Sequence, residues 1–245
     1  MDKLEHLKIS YANRINNERI GLNKLSNNED PYYIIPFFEG DNVVYALYAM
    51  YIEHDFAKAR SCFYKAARIR EFMTITYDRR FMDTGIYDLA NAFLSDNSAI
   101  INRVCHLRNK VINETDMGYQ ICNAAQNILL NNFDELDLNI GRIERFLKLP
   151  RFAPLAGLKD YFKGFLQNDK DKITQGLNDL LAARKKRNID PLISKFFSTD
   201  TAGYCKLAWL KGYEIDLQSP FVPVELMRIE PLKYYEDYDF LNATS

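Results

Sequence analysis

Apolar residues recur at three- and four-residue steps through most of this chain. Leu4, Leu7, Tyr11 and Ile15 form the first stripe, so Asp2 to about Leu25 is expected as an amphipathic helix with Asp2 as its cap. The segment "SNNEDP" ends that stripe, and the "YYIIPFFEGD" that follows is apolar and interrupted by Pro36. It reads as a connector lying across the helices, because it carries too many aromatics to leave in water.

From Asn42 onward a motif repeats. An apolar pair ends one helix, a few polar residues turn the chain, and a second helix begins. The copies are "YIEHDFAKARSCF", "FLSDNSAIINRVC", "LLNNFDELDLNIG" and "FLQNDKDKITQGL". They start at Tyr51, Phe93, Leu129 and Phe165, a spacing of about 36–42 residues that falls within the range of tetratricopeptide and HEAT-type arrays. Asn, Asp and Ser suit the turns because they tolerate left-handed backbone and can cap the next helix. Ala59, Phe63 and Ala66 reproduce the small–aromatic–small spacing of a tetratricopeptide second helix; the later copies do not.

After "RKKRNIDP" the pattern changes. One more helix is expected, capped by Ser198 or Thr199 and ended by Gly212. Pro220 and Pro223 then favour an extended strap. The expected fold is all-α: an irregular array of stacked helical hairpins in a single domain. Residues 1–41 form the first helix and connector, 42–190 the hairpins, and 191–245 the last helix and tail.

Composition narrows the function. The 245 residues are 47% hydrophobic and 27% charged, enough for a sizeable core, and the formal net charge of -1 gives no global field toward nucleic acid or an anionic membrane. Tyr and Phe stand out at 16 each beside a single Trp, and tyrosine can pack its ring while presenting a hydroxyl at an interface. "MDKLEHLKIS" lacks the apolar core of a signal peptide, and no uncharged apolar run reaches the ~20 residues that span a bilayer. A cytoplasmic location is expected.

The candidates for chemistry are few. His6, His54 and His106 share no ligand spacing, and Cys62, Cys105, Cys122 and Cys205 form no CxxC pair and read as buried thiols. Cys105 and His106 are adjacent, but neighbouring helical residues point about 100° apart and cannot share a hydrogen bond. No phosphate-binding, dinucleotide or nucleophile-elbow motif occurs. The run "RKKR", Arg184 to Arg187, fits a helix C-terminus, where cations meet the negative end of the dipole; a nucleic-acid role is the other reading. "YDRRF" sets Arg79 and Arg80 beside aromatics, as at an interface or an interhelix salt bridge. No catalytic residue, metal ligand or cofactor is assigned, and the profile is that of a protein that presents a surface to a partner protein.

The C-terminal segment carries a resemblance. A helix with an aromatic at Trp209, then Gly212, "SPFVPVEL", Pro231 and the ending "YYEDYDFL" resemble the bacterial immunity protein 49 family over residues 204–241. The resemblance implies a mostly helical, non-catalytic protein that binds and neutralises a cognate toxin. Trp209, Gly212, Pro220, Pro223, Leu226, Tyr235, Phe240 and Leu241 would be its structural signature. Trp209 is expected to anchor the last helix against the preceding hairpin. A toxin acting in the cytoplasm, such as a nuclease, would present a basic rim, and Glu236, Asp237 and Asp239 would complement it. Those carboxylates alternate with aromatics expected to dock on the helical body. A helical-repeat adaptor for a housekeeping partner is the alternative that the hairpin spacing supports equally.

Overall fold

Asp30 accepts a hydrogen bond from the Tyr32 amide at 2.9 Å, and Pro31 takes the first helical position, where its missing N–H costs nothing. A helix therefore starts where the connector was expected. The computed structural model, which describes residues 2–187 and 190–241, runs α1 over Lys3–Ser26 and α2 over Pro31–Tyr48. Pro36 lies inside α2 and withholds only the bond that the Tyr32 carbonyl would accept, one turn from the helix start. The aromatics of "YYIIPFF" are consequently split by helical geometry. Ile35 and Phe38 are buried, and Tyr33 and Phe37, four residues apart, share the outer face. α1 packs chiefly on α2, so its stripe is half covered: Leu7 is buried, while Leu4 and Ile15 are exposed. Asp2 occupies the N-cap position of α1 without a side-chain bond.

The four hairpin turns fall where the sequence puts them. α2 continues through a π-helical turn, Ala49–Glu53, into α3 (Phe56–Tyr77). α4 (Tyr87–Leu94) turns into α5 (Ser98–His106), α6 (Met117–Leu129) into α7 (Phe133–Leu147), and α8 (Leu158–Gln167) into α9 (Lys170–Ala182). Each turn holds one residue in left-handed conformation: His54, Asp96, Asn131 and Asn168, with φ of 56°, 58°, 57° and 51°. Asp55, Asn97 and Asp169 then cap α3, α5 and α9 through the amides of Lys58, Ile100 and Lys172. Asn132 holds the same place before α7 without a side-chain bond. Within α8–α9 the backbones approach so closely that a Cβ on Gly176 would lie 2.5 Å from the Tyr161 nitrogen.

α10 (Thr199–Leu210) binds the hairpins together by packing on α4, α6 and α9. Its C-terminus is a full Schellman turn: Gly212 at φ +84° donates to Trp209 O, and Tyr213 donates to Ala208 O, both at 2.9 Å. Ser198 precedes α10, but its hydroxyl donates to Asp200 at 2.9 Å and does not cap the helix. The Trp209 indole is half-buried and donates to Ile215 O at 2.9 Å, so it fastens the chain leaving α10 in addition to packing on the core. Beyond it the chain is extended except for a single helical turn, α11 (Val224–Met227), and a 3-10 turn at Asp239–Leu241. Among the described residues there is no strand; Ser219 and Val222 form an isolated antiparallel bridge.

A buried charge cluster clamps the start of the tail. Arg60 of α3 donates to Asp96 at 2.8 Å and to the carbonyls of Glu225 and Arg228. Lys206 of α10 lies 2.6 Å from the other Asp96 oxygen and donates to the carbonyls of Leu226, Met227 and Arg228. Arg60, Asp96 and Lys206 are all buried, so the two cations depend on the one carboxylate, and Arg60 has a second partner in the exposed Glu230 at 3.1 Å. Burial pushes the Lys206 ammonium down to about 8 against the pull of Asp96.

Candidate protein-binding face

Tyr33 and Phe37 remain 69% and 66% exposed on the outer face of α2, the largest aromatic surface the body leaves uncovered beside Tyr234. Fully burying a Phe side chain contributes about 1.5–3 kcal/mol, so this ridge forgoes that much in the free protein and returns it to whatever covers it. It separates two clefts. One, of about 470 Å³, lies between α1 and α2, with Ile20 and the Arg14–Asp41 pair in its wall. The other, of about 940 Å³, lies between α2 and the end of α3, with Tyr77, Arg79 and Arg80 in its wall. Arg70 closes the floor of the second cleft through Glu39 at 2.9 Å and Asp88 at 3.4 Å. Burial raises both of those carboxylic acids despite the guanidinium.

The tail behaves differently. Tyr235 packs its ring at a tilt on Tyr64, with centroids 4.8 Å apart, donates to Ser95 O and accepts from the Leu232 amide. Tyr238 stacks on Phe38 and Phe240, accepts from Asn42 and donates to Glu18. Leu241 is buried beside Ile35 and Phe72. The strap expected of "YYEDYDFL" is present, with Tyr234 left exposed. Its carboxylates are only partly outward. Asp237 pairs with Arg68 at 3.2 Å and is 17% exposed, Glu236 reaches Lys65 at 3.1 Å from the rim, and Asp239 is exposed. Two of the three proposed toxin contacts thus already have cationic partners on α3.

The basic run lies just past the end of α9. Arg187 is drawn inward, pairs with Asp200 at 2.7 Å and donates to the carbonyls of Leu180 and Pro154. Arg184 sits 3.8 Å over the Phe221 ring. The helix-terminus reading therefore accounts for these two side chains, and Arg187 binds a carbonyl of the last turn of α9 directly. Cys105 donates its thiol to Ile101 O, and His106 beside it faces solvent. Burial pushes the thiols of Cys62 and Cys205 up to about 12 and that of Cys105 to about 11, so all three are protonated at neutral pH. Among the described residues, no group of three or more His, Cys, Asp or Glu is placed to hold a metal ion, and no helix is long and apolar enough to cross a membrane.

The model of immunity protein 49 matches residues 65–226. The chain belongs to the immunity protein 49 family. Membership points to a role in toxin immunity. The match extends far upstream of the resemblance read in residues 204–241 and stops before the tail. Trp209, Gly212, Pro220, Pro223 and Leu226 fall inside it, and Tyr235, Phe240 and Leu241 fall outside. The Tyr33–Phe37 ridge also lies outside the family frame, whereas the Arg79–Arg80 wall that faces it lies within. No curated protein and no solved structure gives a significant match to the chain. Sequence reasoning missed the ridge because Pro36 masked the helix; the Asp30–Pro31 start and the four-residue step from Tyr33 to Phe37 were the signals that would have shown it.

Proposed function

We propose that this protein neutralises a cognate bacterial toxin by stoichiometric binding in the cytoplasm, and that the Tyr33–Phe37 ridge is the anchor of the complex. The observation that carries this reading is an exposed aromatic ridge between two clefts on a member of an immunity family. Large aromatics beside pockets supply most of the energy of a typical protein interface, and helices hold them in place at little entropic cost on binding. Inhibition then requires no catalytic group. The toxin is one that acts inside the cell, a nuclease being one such class. Expression of a toxin gene found beside this one, alone and together with this chain, tests the reading. Growth should be restored by co-expression, and continued killing at equal expression would end the immunity assignment.

A further inference from the structure

Four clefts on this protein lie side by side. Tyr33 and Phe37 border both the α1–α2 cleft and the α2–α3 cleft. Asp78, Arg80 and Asp83 border both the latter and a third cleft of about 500 Å³. That third cleft ends at Asn113 and Asp116, and a fourth of about 500 Å³ begins at Glu114 and Thr115 and reaches Arg142 and Arg145 on α7. The four form a row of neighbouring clefts, a groove interrupted at residues 113–116, with the aromatic ridge between its first two members and a pair of arginines at its far end.

Side-chain pairing along this groove is lopsided. Its carboxylates are largely engaged. Asp41 holds Arg14, Asp30 caps α2, and Asp116 caps α6 through the Gly118 amide at 2.7 Å. Asp78 accepts from Asn109 and from the Lys110 amide, which keep its carboxyl below the usual carboxylate range. Arg80 has Asp83 at 3.4 Å. Arg79, Arg142 and Arg145 are exposed, and among the described residues none of them lies within ion-pair distance of a carboxylate. Arg142 meets only the Gln120 amide oxygen, at 3.5 Å. A guanidinium offers a planar fork of donors suited to two carboxylate oxygens, so three forks without a carboxylate along one row of clefts select for carboxylates.

We infer, resting on the immunity reading, that the toxin seats an acidic segment in this groove. Its carboxylates pair with Arg79, Arg142 and Arg145, and an apolar side chain beside them covers Phe37. This places the principal contact on the groove and not on the acidic tail, whose Asp237 and Glu236 are held by Arg68 and Lys65. The partner chemistry is then the opposite of a basic rim.

The test uses the full chain and the purified toxin domain encoded beside it, with affinity measured by titration calorimetry at low and high salt. Reversing all three arginines to Glu is expected to weaken binding roughly 30-fold or more and to invert its salt dependence, since an attraction that salt screens becomes a repulsion that salt relieves. Phe37→Ala is expected to weaken it at least about tenfold at either salt. Should the triple Glu variant melt lower than wild type, Arg79→Gln, Arg142→Gln and Arg145→Gln together remove the forks without adding charge, and a loss of at least about tenfold with little remaining salt sensitivity is expected. If wild type binds and protects while the arginine variants bind within about threefold of it, the acidic-segment inference is wrong and the immunity reading stands. If wild type neither binds nor protects, the immunity reading fails and this inference fails with it. Light scattering of the free protein covers the remaining occupant. A wild-type dimer that Phe37→Ala converts to monomer would make the face a contact between copies and overturn the proposal.

Discussion

Two segments of this chain, "YYIIPFF" at residues 32–38 and "YYEDYDFL" at 234–241, are similarly rich in aromatics, yet the structure uses them in opposite ways. In the tail, Tyr235 and Tyr238 find ring partners and hydrogen-bond partners within the body, and Phe240 and Leu241 close over Phe38 and Phe72. An extended chain can bend each residue toward its own receptor. α2 has no such freedom. Helical geometry turns Ile35 and Phe38 inward and leaves Tyr33 and Phe37 facing water. The two segments also meet, because Tyr238 stacks on Phe38. The same helix therefore presents its inner face to the tail and its outer face to solvent. Aromatic content alone does not distinguish a strap from a docking ridge; what matters is whether the backbone leaves the rings free to seek partners at home.

That contrast can be broken at its base. Asp96→Asn keeps a side chain that tolerates the left-handed turn but leaves the buried Lys206 without a carboxylate and Arg60 with only the exposed Glu230, with an expected loss of about 3–5 kcal/mol by chemical denaturation. A loss under 1 kcal/mol, roughly the value of a surface pair, would show that the clamp on the tail is not set by charge. Tyr238→Ala removes stacking and two hydrogen bonds and is expected to cost about 2–3 kcal/mol, whereas Phe37→Ala should change folding stability by no more than about 0.5 kcal/mol. Equal effects from the two would erase the distinction between strap and ridge. Trp209→Ala should fall between them, at about 1–2 kcal/mol, because the ring is half-buried and its N–H holds only Ile215 O.

Proton linkage gives a smaller signature of the buried interior. The thiols of Cys62, Cys105 and Cys205 titrate above their ordinary value of 9.0 when folded, so between pH 9 and about 11 the native state holds protons that the unfolded chain has released. Stability contributed by these groups is fully present below pH 9 and falls as pH rises. Lys206 has the opposite sign, because its folded value of about 8 lies under its ordinary 10.5. Its term is flat below pH 8 and adds stability as pH rises from there. The stability difference between wild type and Lys206→Met should therefore grow in favour of wild type between pH 8 and 10, as followed by denaturant titration. A pH-independent difference would contradict the depressed ammonium.

The hairpins were legible in the sequence because their signals are local. An Asn or Asp that tolerates left-handed backbone, followed by a capping residue, marks Asp96–Asn97 and Asn168–Asp169 without reference to anything distant. Gly212 was legible for the same reason. α2 was not, since Pro36 is a strong breaker in general and is harmless here only because it sits one turn from the helix start. The clamp was beyond reach in another sense. Arg60 and Asp96 are 36 residues apart, and nothing in their neighbours separates a buried charge from a surface one. The acidic tail misled in the same way, for the cations that engage Asp237 and Glu236 are on α3, roughly 170 residues upstream. The groove was legible only in fragments, with "YDRRF" read as an interface or an interhelix salt bridge and the aromatics of "YYIIPFFEGD" read as covered.

If the α2 ridge serves a partner while the tail serves the fold, the dissociation constants of Phe37→Ala and Tyr238→Ala for the cognate toxin domain, measured well below both melting points, must separate. A loss of at least about tenfold is expected for Phe37→Ala and about threefold or less for Tyr238→Ala. A Phe37→Ala variant that binds as tightly as wild type, with Tyr238→Ala the weaker of the two, would contradict that division of roles.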